Sequence, residues 1–132
     1  RSLPLMLLAA ASAACHNTPE QPPYGIPAPP GAICTMEARP AIAVQAVDAA
    51  TGQPVKGAII VIVRDGLYSD TAQSRAKNAA GANSASLAYE RAGTYTVLIR
   101  HPSYRDWQRN NVEVLRDECH VKTVLIRAEL RS

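Results

Sequence analysis

Phenylalanine is absent from the 132-residue chain, tryptophan occurs once, and aromatic residues make up only 5% of it. A core built without these large side chains must be filled by aliphatic residues, so each of the few aromatics is conspicuous. Long apolar runs are missing too: the N-terminal stretch is only about a dozen residues, too short to span a bilayer as a helix. Beyond it there is no capped, amphipathic helical stripe, although Thr71–Ala80 can form a short helical turn. Charge of one sign does not accumulate, with 14 Lys+Arg against 11 Asp+Glu. Arg100, Arg105, Arg109, Arg116, Lys122, Arg127 and Arg131 are interleaved with acids rather than gathered on one face, which argues against nucleic acid as a partner.

The first fourteen residues have the three parts of an export signal. Arg1 supplies a positive charge, Leu3-Pro4-Leu5-Met6-Leu7-Leu8 an apolar stretch, and Ala9–Ala14 a small-residue cleavage region. The run Ser12-Ala13-Ala14-Cys15 resembles the lipobox of bacterial lipoproteins, with Ser12 where that family usually has Leu. The resemblance implies that residues 1–14 are removed and that Cys15 is acylated, anchoring the chain to a lipid bilayer. With Arg1 gone, 13 basic residues would face 11 acidic ones. The alternative is an ordinary signal cut near Ala14 that leaves Cys15 as a free thiol. In a Gram-negative cell, His16 rather than Asp after the lipidated Cys favours the outer membrane, facing the periplasm or the cell surface.

Assigning Cys15 to lipid leaves two of the three cysteines, Cys34 and Cys119. Two cysteines allow one pairing, and in an oxidising compartment that pair is expected to be a disulfide. Two reduced structural thiols remain the alternative if the chain is not exported. Residues 15–33 contain six prolines (Pro19, Pro22, Pro23, Pro27, Pro29 and Pro30) and no apolar periodicity. They form a lipid-anchored tether, extended at about 3 Å per residue and reaching up to roughly 50 Å, with a Pro-rich docking ligand as the other reading.

Residues 34–132 form one small domain patterned as strands. Ile42, Val44 and Ala46 alternate within Ala41–Asp48, and Ala49–Pro54 supplies turn chemistry. Ala58–Val63 is a continuous β-branched run that predicts a strand covered on both faces. Further strands are expected over Ser84–Tyr89, Thr94–Arg100, Asn111–Leu115 and Val121–Leu130, the last with Val124, Ile126, Ala128 and Leu130 on one face. Short strands at regular spacing predict an all-β sandwich.

Several segments occur in the order found in the carboxypeptidase regulatory-like domain. These are Val47-Asp-Ala-Ala-Thr51-Gly-Gln-Pro54-Val55, Gly57-Ala-Ile-Ile-Val-Ile-Val63, Glu90-Arg-Ala-Gly93-Thr-Tyr95-Thr-Val97, Pro102-Ser-Tyr104 and Val112-Glu-Val114. The chain resembles that family from about Ala41 to Leu130, with Ser103-Tyr104 where the family has Gly-Tyr. The resemblance implies a single seven-stranded Greek-key β-sandwich of transthyretin-like (prealbumin-like) topology. It implies fold more strongly than activity.

For function, Tyr104, Arg105 and Trp107 in His101-Pro-Ser-Tyr-Arg-Asp-Trp107, with Tyr68 as a possible partner, form the candidate binding surface. Loops at the end of a sandwich are common places for such sites. The other reading is that Tyr104 and Trp107 seal the edge of the core, as Tyr95 is expected to fill its middle. Ser103, His101 and Asp106 supply the residue types of a triad but fall within one loop, without a nucleophile-elbow motif. His120, next to Cys119, reads as a structural histidine. The chain ends Ala128-Glu-Leu-Arg-Ser132, without the terminal Tyr-Arg-Gly-Ser of hydroxyisourate hydrolases. Intradiol dioxygenases, which share the fold, place their paired iron-binding histidines close together, whereas His101 and His120 are far apart here. The expectation is therefore a non-catalytic interaction module without cofactor or metal, presented at the cell envelope to a protein, peptide or glycan. A structural component pairing through its sheet edges is the second reading, and a metal-dependent or hydrolytic enzyme the third.

Overall fold

The computed structural model describes Gly31, residues 33–74 and residues 83–132. The expected signal, Cys15 and nearly all of the expected tether lie outside the described residues, as does most of the expected helical turn at Thr71–Ala80. The described chain is all-β, with seven strands: β1 (Ile42–Asp48), β2 (Ile60–Asp65), β3 (Tyr68–Gln73), β4 (Asn83–Leu87), β5 (Gly93–His101), β6 (Tyr104–Val114) and β7 (Val124–Leu130). No helix among the described residues is long and apolar enough to cross a membrane.

The strands form two sheets in a sandwich-like arrangement, a three-stranded one ordered β4-β1-β7 and a four-stranded one ordered β3-β2-β5-β6. Neighbours pair antiparallel except β1 and β7, which run parallel with Ile42 opposite Val124 and Asp48 opposite Leu130. Two short hairpins stay within the larger sheet. Gly66, at φ 57°, joins β2 to β3 with Leu67, while Pro102 and Ser103 join β5 to β6. Glycine supplies the positive φ that the first corner of such a two-residue hairpin needs.

Alternation places Ile42, Val44 and Ala46 of β1, Val61 and Val63 of β2, Tyr95, Val97 and Ile99 of β5, and Ile126, Ala128 and Leu130 of β7 in one core. Burying each larger aliphatic or aromatic side chain stabilises the fold by about 1.5–3 kcal/mol relative to leaving it exposed. Tyr95 fills the middle, 1% exposed. Its hydroxyl donates to the carbonyl of Arg91 at 2.7 Å, satisfying the one polar atom it brings inside.

The expected strand patterns need correction in four places. Ala58–Val63 is not covered on both faces: Ile59, Val61 and Val63 are buried, but Ile60 is 42% exposed on the outer side of the sheet. Thr71–Gln73 belong to β3, which pairs with β2 from Gln73–Ile60 to Tyr68–Asp65, so tertiary pairing overrides a weak helical pattern. The strand expected over Ser84–Tyr89 ends at Leu87, and Tyr89 is 54% exposed. Ala88 and Glu90 flank it at φ 54° and 53° and turn the chain outward. Finally, Tyr104–Trp107 is no loop, because β6 is one eleven-residue strand from Tyr104 to Val114.

The buried polar side chains Ser74 and Asn83 find partners. Asn83, 1% exposed, accepts a bond from the Ser74 hydroxyl and donates to the carbonyls of Gly57 and Val55, while Ser74 Oγ accepts the N–H of Ile59 at 2.9 Å. These bonds pin the two ends that flank residues 75–82.

Candidate functional site

β6 lies on the open edge of the larger sheet and runs alongside β7, where the N–H of Arg105 donates to the carbonyl of Arg131 at 2.8 Å. Its register against β5 is interrupted twice. Val112 sits opposite Tyr95, but after a shift Arg109 is opposite Val97 and Trp107 opposite Ile99; a second shift sets Tyr104 opposite His101. The first shift places Asn111 at φ 55°, a left-handed conformation that Asn tolerates better than most residues. Because side chains alternate, a one-residue shift exchanges the faces of everything that follows. Trp107 and Arg109 thereby share the inner side of the sheet with Val97 and Ile99, where Asn110 and Gln108 would otherwise point.

Trp107 is half-buried and packs against the rim of the core. The Arg109 guanidinium lies over its ring, 5.4 Å from the centroid. Arg105, Asp106, Trp107, Glu129 and Arg131 line a cleft of about 360 Å³ at this seam. Asp106 is engaged by Arg100 at 3.3 Å. Among the described residues, Arg105, Arg109 and Arg131 have no carboxylate partner. The seam thus combines an aromatic surface with surplus positive charge.

Tyr104 begins the same strand. Its hydroxyl donates to Asp48 Oδ2 at 2.8 Å, and its ring meets His101 edge-on at 5.1 Å. Asp48 also accepts the N–H groups of Ala50 and Thr51, at 2.8 and 2.9 Å. The Tyr104 hydroxyl first, and then these two N–H groups, hold the Asp48 carboxyl below its ordinary range; reciprocally, the carboxylate pushes the Tyr104 hydroxyl up. His101 Nδ1 accepts the Ser103 N–H at 3.1 Å, which leaves Nε2 to donate to the carbonyl of Lys56 at 2.9 Å. Ser103, His101 and Asp106 do not form a relay: His101 is bonded to backbone groups and Asp106 to Arg100.

Tyr68 is elsewhere. It pairs with Asp65 at the β2–β3 hairpin, at the end of the sheet where β5 begins, whereas Tyr104 pairs with His101 where β5 ends. The Arg91 guanidinium lies 4.0 Å over the Tyr68 ring, bonds Asp65 at 2.8 Å and reaches the Tyr95 hydroxyl at 3.0 Å. Of the four residues of the candidate surface, the structure therefore groups Tyr104, Arg105 and Trp107 along one strand and assigns Tyr68 to a separate brace.

Cys34 and Cys119 are joined by a disulfide with Cα atoms 5.3 Å apart. Around it, the Thr35 hydroxyl lies 3.0 Å from His120 Nε2, and His120 Nδ1 lies 2.8 Å from Glu90 Oε1. Glu90 Oε1 also accepts the N–H of Arg39 at 2.7 Å. Burial pushes the Glu90 carboxyl up, but the Arg39 N–H and His120 outweigh it, and the group lies below its ordinary value. Hydroxyl, imidazole and carboxylate here have the connectivity of a nucleophilic relay. Yet the nearby N–H groups of Cys119 and His120 both donate to Asp117 Oδ1, so neither is aimed at a developing oxyanion beside Thr35. The arrangement is a clasp that fixes residues 34–40 to the body of the domain.

No group of three or more His, Cys, Asp or Glu placed to hold a metal ion occurs among the described residues. Sequence reasoning missed Arg109, Glu129 and Arg131 in the seam, and Thr35 and Glu90 in the clasp. Arg109 carried a signal, since it alternates with Trp107 on a strand, but only once Trp107 is read as strand rather than loop. Glu90 and Thr35 are far apart in sequence and carried none. No family model, curated protein or solved structure matches the chain.

Proposed function

We propose that the chain is an exported lipoprotein, anchored in the bilayer by acylated Cys15, whose sandwich is a non-catalytic binding module of the cell envelope. The proposed fold is the Greek-key, transthyretin-like topology of carboxypeptidase regulatory-like domains, on the outer membrane facing the periplasm or the cell surface. The observation that carries the binding reading is the β6–β7 seam. There Tyr104, Arg105 and Trp107 lie on one strand, Trp107 borders an open cleft, and Arg105 has no carboxylate partner among the described residues. Elsewhere the reactive groups are occupied by bonds that hold the fold: Asp48 by Tyr104, His101 by Lys56, His120 by Glu90 and Thr35, and Asp117 by two backbone N–H groups. The anchoring reading is supported by a clasp and a disulfide placed where a tether would meet the domain.

Two measurements test the proposal. Cys15→Ser should move the protein from the membrane fraction to the soluble fraction and abolish globomycin-sensitive processing; unchanged fractionation would refute the anchor. Immobilised full-length chain should retain an envelope component that Arg105→Ala and Trp107→Ala each release. Retention that survives both substitutions would place binding elsewhere.

A further inference from the structure

Three features of the seam narrow what it can bind. The first is placement. The register shift at Asn110–Asn111 requires a left-handed Asn111 and delivers Trp107 and Arg109, in place of Gln108 and Asn110, to the side facing β7. Bulges commonly re-aim side chains next to sites in this way.

The second feature is charge. Arg105, Arg109 and Arg131 surround Trp107 without carboxylate partners among the described residues. Asp106 is paired with Arg100, which leaves Glu129 as the acidic lining group with no ion-pair partner among the described residues. Planar guanidinium groups suit carboxylate and phosphate, and a carboxylate such as Glu129 accepts hydrogen bonds from hydroxyl groups. The indole offers a flat apolar surface of the kind that the C–H face of a sugar ring covers.

The third feature is shape. At about 360 Å³ the cleft is at the small end of ligand sites, suited to one ring rather than a long chain. Strand addition by an acidic peptide is disfavoured. The two register shifts confine regular β6 edge to a few residues around Trp107, and the Arg105 N–H is already held by Arg131.

We infer that this cleft binds an acidic saccharide, its ring against Trp107 and its carboxylate or phosphate held by Arg105 and Arg131. The inference rests on the reading that the β6–β7 seam is the binding surface. Trp107 is the sole tryptophan in the chain, so its emission reports on this cleft alone.

The test is titration of the purified full-length chain in detergent with polygalacturonate, its neutral methyl ester, glucose 6-phosphate, inorganic phosphate and polyglutamate. Polygalacturonate or glucose 6-phosphate should shift the Trp107 emission, and which of the two binds tighter identifies the acidic group. The methyl ester should not bind. Arg105→Gln and Arg131→Gln, exposed changes that leave the thermal midpoint unchanged, should each weaken binding on the order of tenfold. Equal binding of the methyl ester, or inorganic phosphate as tight as the sugars, would overturn the inference. A response to polyglutamate but to neither acidic sugar would overturn it too, while leaving the seam as a binding surface for protein. If neither the probes nor envelope extract moves the Trp107 emission, the seam reading itself fails.

Discussion

Tyr95 shows how one hydroxyl can organise the start of a strand. Its ring is buried in the core while its oxygen both donates to the Arg91 carbonyl and accepts from the Arg91 guanidinium. Burial pushes the Tyr95 hydroxyl above its ordinary value, outweighing the opposing effect of Arg91, so it stays a neutral donor. Tyr95→Phe keeps the ring but strands the carbonyl. The expected cost is about 1–3 kcal/mol, read as a lower urea midpoint with unchanged slope; no loss would show that water replaces the hydroxyl. Tyr104 and Asp48 make a second pair with a pH signature. The Asp48 carboxyl is lower in the folded chain than in the unfolded one, chiefly because Tyr104 donates to it. Its contribution is therefore complete above the unfolded carboxylate range, about pH 4, and is lost as pH falls through the lower folded value. Tyr104→Phe should shrink the decline in stability below about pH 4 and leave the shape of the profile near neutrality unchanged. A profile parallel to the wild type throughout would exclude the pair as its source.

At the scale of elements, β6 separates what the sequence states from what only pairing decides. The strands with clean alternation, Ile42–Ala46 and Ile126–Leu130, were legible because every second side chain is apolar and lies in the core. β6 was not, because its N-terminal half reads Tyr-Arg-Asp-Trp-Gln-Arg-Asn with no period of two. Two register shifts break the period, and they exist only in relation to β5. The same blindness hid the site: Tyr104, Arg105 and Trp107 were conspicuous as residue types, but Arg131 joins them only through the packing of β6 on β7. Likewise β3, with its polar Tyr68–Gln73 sequence, is a strand because β2 supplies a partner. The shift at Asn111 makes a sharp prediction. Asn111→Gly should be tolerated, since glycine adopts positive φ freely, while Asn111→Val should cost about 1–2 kcal/mol for a β-branched residue forced into the left-handed region. Deleting Asn110 should remove the extra residue and straighten the ladder while Trp107 stays opposite Ile99, so its emission should not move. A red shift would mean that the strand slips by one residue instead and turns Trp107 to the outer face.

For the whole molecule, the Cys34–Cys119 disulfide closes a loop with a sequence separation of 85, which encloses β1 to β6 and leaves β7 just outside. Constraining so long a loop in the unfolded chain stabilises the fold by about 4–5 kcal/mol in the chain-entropy picture. A small domain with one aliphatic core has only about 5–15 kcal/mol in total, so this link is a large share of it. The clasp of Thr35, His120, Glu90 and Arg39 acts at the same place by a different route, because its bonds exist only in the folded state. The two contributions therefore separate. Replacing both cysteines with serine should lower stability by up to about 4–5 kcal/mol, and adding reductant to the wild type should reproduce that loss. Glu90→Gln, which removes the ionised partner of His120, should destabilise the oxidised and the disulfide-free proteins alike. The seam should respond to neither change while the domain stays folded, since β6 is tied to β7 through Arg105 and Arg131 and Trp107 rests on the core. Trp107 emission below the unfolding transition thus distinguishes a clip that only stabilises from one that shapes the cleft. An emission shift on reduction, in protein that remains folded, would make the disulfide a control on the site rather than a fastening at the start of the domain.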